Sequence, residues 1–363
     1  MLRSKLIIYI LICLRLPATV FFYIRLSLLS RNLGKKIIIY TSPYGQLGNR
    51  LILFLHFIQY CKRKNAVFLF PAFSEYSDYF ANFEDGSVSS YPKIGRHSLL
   101  NPSNWKKYSV YIDILVAIQS RLPRSFPTFF AKKLPFFEYS DSTNNRSKVS
   151  NYSDKIEFLD SESFETEIQG KDLIALFGWR FRMKNFEIDP ETKRSILEYL
   201  APNAEILSKS DRLLFSYREN FDRIIAVHHR RKDYRIWLDG KFYFEPELIR
   251  KKMEELRSEL ESQGFRKILF LIFSDEKGED YSVPGASVIP AQGSMVEDLY
   301  CMSRCDLILG PPSTFSGWAA YSGGVPILPI YSSEDPVRLD LFRKIEVWNG
   351  VEIPLVSGEK FIL

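Results

Sequence analysis

The stretch "AVHHRRKDY", Ala226 to Tyr234, sets two histidines, two arginines, a lysine and an aspartate in consecutive positions behind an apolar run. Such a cluster can be a metal site, a polyanion patch, an anion-binding turn or a solvated loop. Neighbouring side chains on a strand point to opposite faces, so His228 and His229 are badly placed to chelate one ion. The chain has only four histidines, and no cysteine lies near these two in sequence to complete a zinc set. Arg230 and Arg231 can neutralise a diphosphate through forked hydrogen bonds, and Asp233 can brace a guanidinium. Taken alone, the stretch reads more readily as a solvated basic turn.

Three other segments have the composition of ligand-binding turns. "YGQLGN", Tyr44 to Asn49, carries glycines that let backbone approach a ligand, ahead of a helix start that favours an anion. It lacks the Lys-Ser/Thr of a nucleotide-hydrolysing phosphate loop. A tight strand-to-helix turn is its plain alternative. "FSDE", Phe273 to Glu276, ends a strongly apolar run with Asp275, a carboxylate that can accept from a base or ribose or simply cap a turn. In "GPPSTFSGWAA", Gly310 to Ala320, Ser313 and Thr314 stand where a helix starts. Their hydroxyls, the free N–H groups and the helix dipole together form an anion cradle.

These segments need a scaffold that brings them together, and the surrounding pattern supplies one. "KKIIIYT", "AVFLFP", "DLIALFGW", "DRIIAVHH", "KILFLIFSD", "DLILG" and "VPILPI" read as short buried strands. Helical stretches lie between them, among them "LILFLHFIQYCKRK", "APNAEILSKSDRLLFSYREN", "EPELIRKKMEELRSELESQG", "MVEDLYCMSRC" and "STFSGWAAYSGG". The alternation predicts parallel sheets covered on both faces, in two Rossmann-like halves. In such sheets ligands bind at the carboxyl ends of strands, where all four segments fall. A nucleotide-diphosphate site follows from the four together. Residues 139–154, "YSDSTNNRSKVSNYSD", are polar and predict an exposed loop.

Of 363 residues, 49 are basic and 43 acidic. Six of the basic ones, Arg3, Lys5, Arg15, Arg25, Arg31 and Lys35, lie in the first 35 residues, which contain no acid. The body is therefore neutral, which argues against a nucleic-acid partner. The first 34 residues are apolar as well as basic, but Arg15 and Pro17 break the stretch below the ~20 apolar residues a spanning helix needs. A poor signal anchor, an interfacial helix and a buried N-terminal helix stay open, with the membrane surface favoured by the charge. Cys13, Cys61, Cys301 and Cys305 form no framework, which fits a reducing compartment. The sequons at Asn145 and Asn151 keep a secretory alternative open.

The motifs also resemble those of the α-1,2-fucosyltransferases, glycosyltransferase family 11. "HHRRKDY" resembles their His-x-Arg-Arg-x-Asp-Tyr signature, "GQLGNRL" their Gly-x-Leu-Gly-Asn-Gln turn and "FSDE" their Ser-Asp-Asp segment. "EDLYCMSRCDLILGPPSTFSGWAA" is similar to their Asp-Leu-x-x-Met-x-x-Cys run followed by Asn-Ser-Thr-Phe-Ser-Trp-Trp-Ala. The anchors keep family order over residues 37–330. Arg50 stands where the family has Gln, Lys232 where Gly is common, Pro312 where Asn occurs and Gly317 where the first Trp does.

The resemblance implies a GT-B fold, two Rossmann-like domains facing each other across a cleft, and inverting transfer from GDP-fucose without an obligatory metal. The absence of an Asp-x-Asp motif is compatible with that. By motif position it implies Arg231 and Arg230 on the diphosphate with Asp233 orienting them, and His228 and Asp275 on guanine. Ser313, Thr314 and Phe315 would cradle the donor, and Gly48 and Asn49 would close over phosphate and sugar from the other half. The expected organisation is an N-terminal segment 1–34, an acceptor-side domain 35–220, a nucleotide-sugar domain 221–345 and a tail 346–363. The expected reaction places fucose on a glycan hydroxyl, galactose 2-OH by resemblance, on a glycan or lipid-linked oligosaccharide. The expected location is cytoplasmic and peripheral at a membrane surface, with a Golgi type II protein as the alternative. Another nucleotide sugar, or a glycan- or nucleotide-binding protein without turnover, are the competing readings.

Overall fold

A computed structural model describes residues 2–40, 45–83, 88–94, 105–119, 129–133, 156–178, 180–186, 188–346, 353–354 and 360–361. The polar stretch 139–154 with both sequons, and Tyr44, lie outside the described residues, as does most of the tail. The chain divides into two compact units, Met1–Leu200 and Ala201–Leu363.

The first unit runs α1 (Leu2–Leu33), β1 (Lys36–Tyr40), α2 (Leu47–Lys64), β2 (Ala66–Leu69), β3 (Ser90–Tyr91), α3 (Trp105–Gln119), β4 (Phe129–Lys133), β5 (Glu157–Phe158), α4 (Glu162–Glu167), β6 (Leu173–Phe177), β7 (Phe181–Arg182) and α5 (Pro190–Tyr199). Its main sheet has the order β3-β2-β1-β6-β4, parallel except for β3. The isoleucine run of β1 is buried throughout because both faces of the sheet are covered. Ile37 and Ile39 pack with Phe22, Leu26 and Leu29 of α1 and with Tyr108 and Ile112 of α3. On α2, Phe57 stacks on Phe68 with ring centroids 4.1 Å apart.

The second unit runs α6 (Ala204–Arg218), β8 (Arg223–His229), α7 (Pro246–Ser262), β9 (Ile268–Ser274), β10 (Ser287–Pro290), α8 (Met295–Met302), β11 (Leu307–Gly310), α9 (Thr314–Gly323) and β12 (Ile327–Pro329). The sheet is wholly parallel in the order β10-β9-β8-β11-β12. This is a doubly wound arrangement whose strand order reverses between β8 and β11. Ile225 and Val227 face α7, packing on Ile249, Met253 and Leu256. The alternate residues Ile224, Ala226 and His228 therefore face the other side. α6 starts at Asn203, whose side chain accepts from the Ile206 N–H at 3.0 Å. It packs on α8 and β8, so the division falls at residue 200 rather than after 220. The edge strand β10 goes unannounced in the sequence because its residues are exposed or half-buried rather than an apolar run.

At the reversal point Gly310 has φ +149°, and a Cβ there would lie 2.0 Å from the carbonyl oxygen of His228. Only glycine lets the end of β11 come this close to the end of β8. Cys61, Cys301 and Cys305 are buried free thiols, filling core space.

Candidate functional site

Strand parity places the two histidines of the His-His-Arg-Arg run on opposite faces of the sheet. His229 faces α7 and is fully buried, its Nδ1 2.7 Å from the Tyr281 hydroxyl and its Nε2 3.1 Å from the Phe244 carbonyl. Burial lowers its pKa to about 4, so it is a neutral structural pin. His228 lies on the opposite face, its ring 5.4 Å from that of Phe315 at the start of α9. Burial first, then the nearby Arg230 charge, lower its pKa to about 3. Its Nδ1 is buried without a hydrogen-bond partner among the described residues.

The arginines divide as well. Arg230 is held by Asp233 through two parallel bonds, Nε to Oδ1 at 2.7 Å and Nη2 to Oδ2 at 2.6 Å. Its guanidinium lies 5.5 Å from the centroid of the Tyr234 ring. The Tyr234 hydroxyl in turn donates to the Pro312 carbonyl at 2.5 Å, just ahead of α9. Burial alone would raise the Asp233 carboxyl, but the bonds and charge of Arg230 outweigh it and hold it below its ordinary value. Arg230 is thus a preoriented cation tied to the β11–α9 junction.

Arg231, expected beside Arg230 on a diphosphate, is instead enclosed on the α7 side with only 4% of its side chain exposed. Its Nη2 donates to the Tyr243 hydroxyl at 2.5 Å, and Glu245, Glu276 and Glu279 lie 3.1, 2.9 and 3.3 Å from its guanidinium. Asp275, expected on a base, accepts the Arg231 and Lys232 backbone N–H groups at 2.8 and 3.4 Å with one oxygen, tethering β9 to the turn after β8. Both residues therefore fix the loop that presents Arg230. Arg231→Met strands three partly exposed carboxylates, which should cost about 2 kcal/mol, below the full penalty of a buried broken pair. Urea denaturation checks this, and an unchanged midpoint would show that the cage contributes nothing.

Ser313 is the N-cap of α9, its hydroxyl accepting the Phe315 N–H at 3.2 Å. Thr314 and Phe315 follow in the first turn, half-buried. The structure brings Ser313, Thr314, Phe315, His228 and Arg230 to one face of the sheet, where a helix N-terminus, a guanidinium and a neutral imidazole converge. That set can hold an anion and stabilise added negative charge on it.

On this same face a cavity of about 440 Å³ opens between α6, α8 and the ends of β9 and β10, with Leu271, Phe273, Ile289, Pro290 and Asp298 on its wall. Burial raises the Asp298 carboxyl to about 7, with Gly293 donating a backbone bond that works the other way. Asp298 is the Asp of the Asp-Leu-x-x-Met-x-x-Cys run, to which sequence alone attached no role. Glu297 completes a capping box with Ser294, while Asp298 accepts from the Gly293 backbone and lines the cavity.

Gly48 and Asn49 lie in the first turn of α2, in the first unit. Gly45, with φ +69°, makes the turn, and the Asn49 side chain packs where a Cβ of residue 45 would be. Arg50, standing where Gln was expected, is buried and ties the turn down, donating to the Gly45 and Ala72 carbonyls at 3.2 and 2.7 Å and pairing with Glu75 at 2.8 Å. The Asn49 amide oxygen is buried without a partner among the described residues. Among the described residues no three His, Cys, Asp or Glu side chains are grouped to hold a metal.

No family model and no curated protein matches the chain. Solved structures do. A mutant of Arabidopsis thaliana FUT1 in complex with GDP aligns over 86% of this chain and 74% of its own, at 13% identity and a TM-score of 0.52. POFUT1 in complex with GDP-fucose aligns over 79% and 93% at 15% identity with a TM-score of 0.41. The Bradyrhizobium fucosyltransferase NodZ aligns over 81% and 95% at 16% and 0.42. At such identities the likeness concerns architecture, and the first comparison carries it. With two Rossmann-like units of parallel sheet, the chain has the GT-B fold seen in fucosyltransferases.

Proposed function

We propose that the chain is an inverting glycosyltransferase that moves fucose from GDP-fucose to a glycan hydroxyl. The observation that carries this reading is the convergence of Arg230, braced by Asp233, with the N-terminus of α9 and neutral His228 at the strand reversal of a Rossmann-like unit. In the reaction the acceptor oxygen bonds to the sugar anomeric carbon, and the bond from that carbon to the phosphate oxygen breaks. The electron pair leaves on GDP, and the acceptor hydroxyl's proton passes to the departing diphosphate or to water. Arg230 and the α9 N–H groups supply positive charge where that oxygen becomes negative, so the chain's own residues can do what a divalent ion does elsewhere. His228 Nδ1 offers a hydrogen bond to the donor.

The cavity beside β9 and β10 suits the base. Guanine presents adjacent N1–H and amino donors, which a carboxylate at Asp298 can accept in parallel, whereas uracil and cytosine do not offer that pair. This supports GDP over UDP or CDP. The resemblance of the motifs extends the reading to a galactose 2-hydroxyl acceptor, on a free or lipid-linked glycan, at a cytoplasmic membrane surface.

Calorimetric titration with GDP, UDP and CDP at about pH 6 and pH 8 tests the nucleotide assignment. With Asp298 near 7, its charged fraction falls roughly tenfold across that interval, and GDP affinity should weaken by about the same factor at the acid end. Asp298→Asn should flatten the dependence. The same raised pKa works the opposite way on the empty protein. This one group contributes stability that is fully present below the ordinary Asp value and lost as pH rises through about 7. Equal affinity for the three nucleotides would overturn the donor assignment.

A further inference from the structure

Over residues 14–33 helix α1 is largely apolar, and the first unit packs against one face of it. Phe22, Leu26 and Leu29 are buried against α3 and the sheet. The opposite face carries Leu14, Phe21, Ile24 and Leu28, exposed by 73%, 56%, 47% and 49%. Their spacing at 14, 21, 24 and 28 puts them in one stripe about four turns long. Scattered exposed leucines are ordinary, but a continuous stripe beside an already packed face calls for a cover.

Charge indicates which cover. Helical geometry sets Arg25 and Arg31 along opposite borders of the stripe, and Arg25 lies 4.1 Å over the Phe21 ring. No acidic residue occurs in the first 35 positions, which hold six cations. A second copy of this face would bring arginines against arginines, whereas anionic headgroups would neutralise them. No helix among the described residues is long and apolar enough to cross a membrane.

We propose that the outer face of α1 docks the protein on an anionic lipid bilayer. The helix lies in the interface plane, with Phe21, Ile24 and Leu28 at the boundary of headgroup and acyl chain and Arg25 and Arg31 on lipid phosphates. This inference does not depend on the transferase reading.

Co-sedimentation of the chain with extruded vesicles tests it, comparing phosphatidylcholine alone with mixtures containing about one-third phosphatidylglycerol. The expected result is binding to the anionic vesicles that weakens with added salt, and little binding to the neutral ones. The triple variant Phe21→Ser, Ile24→Ser, Leu28→Ser should reduce anionic binding about tenfold or more with an unchanged circular dichroism spectrum, since the three side chains face solvent. Arg25→Glu should weaken anionic binding on its own. Equal partitioning of wild type and triple variant would overturn the proposal, as would equal binding to neutral and anionic vesicles. Absence of vesicle binding with a dimer that the triple variant dissolves would assign the face to self-association instead.

Discussion

Arg230→Ala should lower transfer from GDP-fucose by about 10²–10³-fold, the range for removing one preorganised donor from a developing anion. The loss should fall on kcat more than on KM, because the charge that Arg230 meets grows as the bond to phosphate breaks. Folding should be moderately changed at most: among the described residues the guanidinium's ion pair is with half-exposed Asp233, and such partly exposed pairs contribute about 1 kcal/mol. Arg230→Lys keeps the charge but loses the fork that Asp233 braces, and should recover part of the rate. Steady-state kinetics with GDP-fucose, read beside a thermal melt, measure both effects. Wild-type turnover in Arg230→Ala would remove the residue from the chemistry.

Gly310→Ala should be severely damaging to the second unit. The added carbon would meet the His228 carbonyl oxygen at 2.0 Å and its carbon at 2.9 Å, and these are backbone atoms that cannot swing aside. At φ +149° the alanine is also strained in its own backbone. Relief requires parting β8 from β11, where Leu309 pairs with Val227. The expected cost is roughly 4 kcal/mol or more, the range reserved for a steric fault at a special backbone site. Measured by denaturant unfolding, the variant should be largely unfolded or insoluble. A normal midpoint would contradict the strand pairing on which the site rests.

Much of the scaffold was legible because its strands are buried on both faces and so appear as unbroken apolar runs, as in "RIIAV" and "KILFLIFS". β10 and the short β5 and β7 gave no such signal, since their burial is partial or their length is two residues. Within the site, residue type was legible and role was not. Arg230 and Arg231 are equivalent in sequence. They separate only because Glu245, Glu276 and Glu279, from three distant positions, gather on the α7 side while α9 starts on the other. Asp298 was hidden for a different reason: acids in the first turn of a helix are common for dipole reasons alone. Its burial against the cavity is a tertiary fact.

Crystallising the protein with GDP tests the central claim most directly. The β-phosphate should lie within hydrogen-bond distance of the Arg230 guanidinium and the N–H groups at the start of α9, on the His228 face, with guanine in the cavity beside Asp298. A diphosphate bound on the α7 side against Arg231, or a GDP seated away from the β8–β11 junction, would contradict it.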